Sequence, residues 1–346
     1  MKLSDFDFHL PDDLIAQVPS TKRDASQLMI VDRKSGTIRT DVFSKLGNYL
    51  KPNTVLTFNN SRVFPAKLFA LKPGRKKLIE ILLIRELEPN LWETLVKGLA
   101  KLKTGTQLTF KDVNLIALLK DKREGRGIIE FSGVDNLNKE LKRIAQTPLP
   151  PYIKRDIVWS PESFDRERYQ TVFATQSGSI AAPTAGLHFT TELLDTLRLN
   201  GLETLFLTLH VGPSTFQPVR CEKITNHRMQ SEFYKISKYT RNQLVEAKTA
   251  GKNLLAVGTT TTRTLESIDL TSKTESDTSG CTNIFIQPGY HFNNVDQLLT
   301  NFHLPKSTLF MLVSAFGGLN LMKNAYRKAI TERFRFYSYG DAMLIL

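Results

Sequence analysis

The sequence predicts an α/β protein in two parts. A discontinuous α/β domain, barrel-like or built on a largely parallel sheet, takes residues 1–66 and 150–346, and a small antiparallel β-barrel of residues 67–149 is inserted into it. Three observations predict this. Strand-like and helix-like segments alternate from about Tyr152 onward, which is the pattern of a parallel sheet with crossover helices. Between about residues 67 and 149 the apolar runs are short, partly alternating and separated by Gly, Lys and Asn turns, as in small barrels and sandwiches. The Pro-rich "TPLPPYI", Thr147–Ile153, closes that stretch as a linker. A chain of 346 residues is long enough for two domains and buries roughly three quarters of its unfolded surface.

In chain order, "DDLIAQ" reads as a short helix, "SQLMIVDR" as a strand, "DVFSKLGNYL" as a helix and "TVLTFNN" as a strand. The insert supplies "KKLIEILLIREL", "LWETLVKG", "TQLTF", "NLIALLKDK" and "GRGIIEFSG" as strands. In "SIAAPTAGLHFTTELL", Pro183 and Gly186 prevent helix propagation and leave a tight loop. That loop feeds a helix capped by Thr190 or Thr191 and stopped at Gly201. Beyond it, "LETLFLTLHV", "NLLAVG" and "TNIFIQPG" read as strands. "KYTRNQLVEAKTAG", "TTTTRTLES", "STLFMLVSAFGG" and "LMKNAYRKAITERF" read as helices, and "LTSKTESDTSG" as a polar loop.

The 47 Lys and Arg against 34 Asp and Glu leave a formal +13, which favours a polyanionic partner. From Phe64 to Arg126 there are 14 basic and 7 acidic residues, so +7 of the +13 falls there, much of it in "KPGRKK" and "KDKREGR". Solvated turns account for such charge runs equally well. Cys221 and Cys281 lack paired or metal-ligand spacing and point to a reduced, cytoplasmic protein. The acidic start "MKLSDFDFHLPDDL" has no apolar run, and "STLFMLVSAF" is too short to span a bilayer. A soluble, non-exported protein is expected.

Strand ends gather the chemistry. "TFNNSR", "LHVGPSTFQPVR" and "VGTTTTR" each set small or hydroxylated residues before an arginine. Arg62, Arg220 and Arg263 are thus candidates to fork onto a phosphate or carboxylate, or to form ordinary structural ion pairs. His188, His210, His227 and His303 lie beside loop-forming sequence, with Glu232 near His227, Asn301 near His303, and Asp341 after the aromatic turn "FRFYSYGDAM". Acids and bases in apolar pockets have their pKa values moved toward neutrality. His188, at a helix start whose dipole favours neutral imidazole, is a candidate base, or a satisfied core histidine. No metal-binding spacing, G-x-G-x-x-G, P-loop or G-x-S-x-G occurs, which removes the main support for metalloenzyme, dehydrogenase, NTPase and hydrolase readings.

"FNNSRVFPAKL", "RYQTVFA", "AAPTAGLHF", "TLHVG", "TFQPV", "AVGTTTTR", "TNFHLPKSTLFMLVSAF" and "RFYSYGDAM", in this order, resemble the S-adenosylmethionine:tRNA ribosyltransferase-isomerase family of queuosine biosynthesis. The resemblance runs from "DFDFHLPDDLIAQ" to the C-terminus and is weakest between about residues 85 and 140. It implies transfer and isomerisation of the ribosyl part of S-adenosylmethionine onto the aminomethyl group of a 7-deazaguanine at the tRNA wobble position. Epoxyqueuosine-tRNA, adenine and methionine would result.

S-adenosylmethionine is then a co-substrate, with no metal, and tRNA with GUN anticodons is the partner of a cytoplasmic monomer. Expected catalytic residues are His188, His210, His303, Asp341 and Glu232. Expected substrate contacts are Asn60, Arg62, Thr184, Gly186, Thr259, Arg263, Asn301 and Tyr339, with Arg75, Lys76, Lys77, Lys101 and Lys103 facing tRNA. The sequence departs from the family pattern at Gln230, where a histidine is common, at Pro213–Ser214, and at Lys67, which lacks the fork of the usual arginine. A non-catalytic RNA-binding or chaperone-like protein would satisfy the charge excess too.

Overall fold

The computed structural model describes residues 1–155, 162–213, 219 and 221–346. The strands are β1 (Gln27–Val31), β2 (Ile38–Val42), β3 (Thr54–Asn59), β4 (Ser61–Val63), β5 (Lys67–Leu71), β6 (Leu78–Glu88), β7 (Leu91–Val96), β8 (Gln107–Phe110), β9 (Val113–Arg123), β10 (Arg126–Ser132), β11 (Gln176–Ser179), β12 (Glu203–Leu209), β13 (Glu232–Ile236), β14 (Asn253–Val257), β15 (Thr278–Thr282), β16 (Gln297–Asn301) and β17 (Ala342–Ile345). The α-helices are α1 (Leu137–Ile144), α2 (Glu162–Arg168), α3 (Thr191–Leu199), α4 (Lys238–Thr249), α5 (Thr259–Leu265), α6 (Thr308–Gly317) and α7 (Leu319–Thr331). The chain forms two compact units, the first of Met1–Arg62, Pro150–Arg155 and Arg168–Leu346, the second of Val63–Leu149 with a short segment ending at Glu167.

The first unit is an α/β layer structure. Its nine-stranded sheet runs β15-β13-β12-β3-β14-β16-β17-β1-β2 and stays open. The consecutive strands β12, β3, β14 and β16 are parallel, and the strands beyond them make the sheet mixed. Every residue of β3 is buried, as expected for a parallel strand covered on both faces.

Strand alternation sorts the apolar residues into two cores. Met29, Val31, Val55, Leu254, Ala256, Leu298, Met343 and Ile345 belong to one. Their sequence neighbours Leu28, Ile30, Leu56, Leu255, Val257, Leu299, Ala342 and Leu344 belong to the other. Residues of α4, α6 and α7 close the first, and those of α3 with the 3-10 segment Phe43–Tyr49 close the second. Thr190 caps α3, its hydroxyl accepting from Leu193 N at 3.0 Å, and Gly201 ends the run at φ +81°.

The second unit is a closed six-stranded antiparallel barrel, β10-β7-β6-β5-β8-β9. Alternate residues Leu68 and Ala70, Ile81 and Leu83, Trp92 and Val96, Leu115 and Ala117, and Ile129 and Phe131 fill its interior.

Several expected elements take a different form. "DDLIAQ" forms only the single 3-10 turn Asp12–Leu14, and "DVFSKLGNYL" is 3-10 rather than α. The strand expected in "TNIFIQPG" lies earlier, at Thr278–Thr282, overlapping the end of the stretch read as a polar loop and only the first residue of the expected strand. There it pairs with β13 as the edge of the sheet, and edge pairing needs backbone groups rather than apolar side chains. Among the described residues no helix is long and apolar enough to cross a membrane.

Candidate active site

Parallel α/β sheets present loops at the carboxyl ends of their strands, and crevices there hold ligands. In the first unit β14 and β16 both open into one cavity of about 590 Å³, within the range of small-molecule sites. Gly258, Thr259 and Thr260 follow β14, while Thr300, Asn301 and the segment Phe302–Ser307 come from the end of β16. Gly258 turns the chain at φ +92°, a conformation that favours glycine. The loop Ala181–Ala185 supplies a mostly small-residue wall, and Tyr152 and Tyr337 supply an aromatic one.

Asn301 is a polar group of the cavity wall held by three partners. Its Nδ2 donates to the Tyr337 carbonyl at 3.2 Å, which fixes the amide orientation, and its Oδ1 accepts from the Thr184 hydroxyl at 2.9 Å. The same Nδ2 lies 3.1 Å from His188 Nε2, so that nitrogen accepts and Nδ1 carries the proton. Nδ1–H then donates to Ser26 Oγ at 2.7 Å. The imidazole is buried and stacked on Phe43 at 4.9 Å. Burial, reinforced by Arg335 and Arg23, pushes its pKa down to about 3. His188 is therefore neutral with both nitrogens engaged, and it lies behind Asn301 rather than in the lining of the main cavity.

His303 does line the cavity. Its backbone N–H donates to Tyr326 Oη at 3.1 Å, which leaves the phenol proton for Nδ1 at 3.3 Å. Nε2 then carries the hydrogen and lies 3.4 Å from Thr300 Oγ1. Burial pushes this imidazole down to about 3 as well.

The other expected residues fall into three groups. Thr184, Thr259 and Asn301 border the cavity. Glu232 and Arg263 form a buried ion pair just outside the cavity lining, with Glu232 Oε1 also accepting from Gly212 N at 3.0 Å.

The remainder are placed elsewhere. Asp341 accepts from Gln27 N at 2.9 Å and Arg335 N at 2.7 Å, and burial raises its pKa despite both bonds. That arrangement closes the Arg335–Asp341 turn. The His210 ring lies flat on Gly178, where an added Cβ would sit 2.8 Å from Cε1, and burial lowers its pKa. Gly186 is a packing position, since a Cβ would meet Phe173 and Thr171 at 2.7 and 2.8 Å. Asn60 accepts from Thr208 Oγ1 at 2.7 Å, Arg62 is exposed, and Tyr339 packs on Tyr169. None of these six lines the main cavity. Arg220 and Ser214 lie outside the described residues. On the barrel unit Arg75, Lys76, Lys77, Lys101 and Lys103 are all exposed, and none has a carboxylate partner among the described residues.

Sequence reasoning missed Ser26, Asn59, Tyr152 and Tyr337. Asn59 ties three elements together: its Nδ2 donates to Leu209 O and Thr260 Oγ1, and its Oδ1 accepts from Ser61 N and Leu209 N. Its position as the polar residue closing the apolar run "TVLTFN" was the available signal.

The sequence profile described as queuosine biosynthesis protein matches residues 3–345. The chain is 45% identical over 347 residues, all of both chains, to the S-adenosylmethionine:tRNA ribosyltransferase-isomerase of Halothermothrix orenii. It is 45% identical over 346 residues, again all of both, to the protein of the same name from a Sulfurihydrogenibium species. The crystal structure of the S-adenosylmethionine tRNA ribosyltransferase of Thermotoga maritima is similar at a TM-score of 0.56 and 38% identity, over 99% of this chain and 100% of that one.

Proposed function

The chain belongs to the queuosine biosynthesis protein family, and from that premise we propose that it is an S-adenosylmethionine:tRNA ribosyltransferase-isomerase. It moves the ribosyl part of S-adenosylmethionine onto the aminomethyl group of a wobble-position 7-deazaguanine, forming epoxyqueuosine-tRNA and releasing adenine and methionine. We further assign it to tRNAs with GUN anticodons, acting as a cytoplasmic monomer without a metal. Full-length identity to proteins of that activity carries the reading, and a cavity at the carboxyl ends of β14 and β16 agrees with it.

The residues divide the work by position. Asn301, Thr184 and Thr259 hold the polar groups of the small substrate in the cavity. His303, neutral with its hydrogen on Nε2, donates to a ring nitrogen of the departing adenine. His188 keeps the Asn301 amide in place. The Glu232–Arg263 pair sets the Gly212 backbone beside Val211, which lines the cavity. The exposed Arg75, Lys76, Lys77, Lys101 and Lys103 meet tRNA phosphates.

Incubation with S-adenosylmethionine and tRNA carrying the aminomethyl-deazaguanine tests the reading. Equal amounts of adenine and methionine are expected. S-adenosylhomocysteine would instead mean methyl transfer, and tRNA binding without consumption of S-adenosylmethionine would mean a non-catalytic RNA-binding protein.

A further inference from the structure

Two tyrosines that stand far apart in the sequence meet in the cavity wall. Tyr152 and Tyr337 both line the cavity, with ring centroids 4.1 Å apart and ring planes inclined by 36°. Both residues are anchored, Tyr152 through its hydroxyl and Tyr337 through its backbone, while the buried Tyr337 hydroxyl has no hydrogen-bond partner among the described residues. The Tyr152 hydroxyl is hydrogen-bonded to Ser338 Oγ at 2.7 Å. The Tyr337 backbone is held by its N–H on Phe302 O at 3.0 Å, and its carbonyl accepts from Gly340 N at 2.9 Å and Asn301 Nδ2 at 3.2 Å.

Those bonds hold Tyr337 at φ +73°, where a bulky side chain is strained. Strain of this kind persists where surrounding structure imposes it, and it gathers at ligand clamps. Much of the remaining wall is small, with Ala181, Ala182, Ala185 and Gly258 leaving room for a flat ring. Asn301, Thr259 and Thr300 supply hydrogen-bonding groups at its rim.

We propose that Tyr152 and Tyr337 form the stacking platform for a purine-like bicyclic base, the adenine of S-adenosylmethionine or the 7-deazaguanine of the tRNA. The proposal rests on the function given above for its choice of ligand. Chemically, a rigid aromatic wall with polar groups around its edge selects planar heteroaromatics, because every base offers a π-face while only some offer the matching edge. The platform sits against Asn301, so one amide both anchors Tyr337 and faces the cavity. Tyr339, the tyrosine of the same motif named from sequence, packs instead on Tyr169 outside this cavity.

The test is equilibrium binding by calorimetry, with S-adenosylmethionine and with free 7-aminomethyl-7-deazaguanine as probes, in the presence and absence of tRNA. Tyr152→Leu and Tyr337→Leu should each weaken binding of one probe by roughly fivefold to a hundredfold, the range of a lost base stack. Tyr152→Phe and Tyr337→Phe, which keep the rings, should stay within about threefold of wild type. The probe that weakens identifies which base is seated there.

Because leucine at a left-handed position can unfold the turn, a second measurement uses wild-type protein with isotope-labelled tyrosines. Nuclear Overhauser contacts should connect the ring protons of Tyr152 or Tyr337, assigned from the phenylalanine variants, to the base protons of the bound probe. Unchanged affinity for both probes in folded leucine variants, or absence of those contacts, overturns the proposal. Both readouts are independent of turnover, so a wild-type protein that binds its probe here yet releases no adenine would refute the functional reading and leave this one standing.

Discussion

Replacing His188 with glutamine should make the stability difference from wild type depend on pH, in a direction fixed by burial. The imidazole has a folded-state pKa near 3, against about 6.5 in an unfolded chain. Below about pH 6.5 the unfolded chain therefore takes up a proton that the folded protein refuses. The stability contributed by keeping His188 neutral is complete above about pH 6.5 and is lost progressively as the pH falls toward 3. The full span is about 5 kcal/mol, of which about 2 kcal/mol is gone by pH 5. At pH 7.5 the variant also loses the bonds to Ser26 and Asn301 and the stack on Phe43, a cost of about 1–3 kcal/mol.

The variant should accordingly be less stable than wild type at pH 7.5 by about 2 kcal/mol and close to it at pH 5. Other groups, the similarly buried His303 included, cancel in the difference. Urea unfolding of both proteins at the two pH values measures it. A difference that does not change with pH would mean that His188 ionises freely in the folded protein. The inference that it is a neutral positioning group would then fail, and its candidacy as a proton-accepting base would be restored.

Gly186→Ala should lower stability by about 1–3 kcal/mol through overpacking against Phe173 and Thr171, read as a drop in melting temperature; an unchanged midpoint would show that the loop yields. Glu232→Gln leaves Arg263 charged and buried, so urea unfolding should show a loss of about 3–5 kcal/mol, and a near-neutral result would contradict a buried ionised pair. Reversing Arg75, Lys76 and Lys77 to glutamate should flatten the slope of log tRNA affinity against log salt by roughly 0.7–0.9 per phosphate contact removed. If filter-binding titrations give an unchanged slope, the RNA surface lies elsewhere.

The long, strongly patterned elements were legible because each carried its own signal. The six-residue β3 is apolar or threonine until its last position, α3 had a cap and a glycine stop, and α6 and α7 had clear helical runs. Strands β13, β16 and β17 were not legible. Each has only four or five residues, too few to show a period, and their place is set by neighbours distant in sequence. Site residues followed the same division. Thr259 stood at an expected strand end, and Thr184, Asn301 and His303 in or beside loop-forming motifs, and all four border one cavity. His210 and Asp341 carried equally suggestive chemistry, yet His210 packs between Gly178 and the Phe233 ring, and Asp341 is held by two backbone amides and the Arg335 side chain. Nothing local distinguishes those cases, because burial and hydrogen-bond partners are tertiary facts. Tyr152 was hidden in a proline-rich linker for the same reason, since its role comes from Tyr337, 185 residues away.

A crystal structure with S-adenosylmethionine bound tests the central claim most directly, namely that the carboxyl ends of β14 and β16 hold the ribosyl donor. Density for the ligand should lie in the cavity bordered by Thr184, Thr259, Asn301 and His303, with the adenine against the Tyr152–Tyr337 wall if that is the base the platform seats. A ligand found instead beside His210 and exposed Arg62, with this cavity empty, would contradict the claim and move the active site to another edge of the sheet.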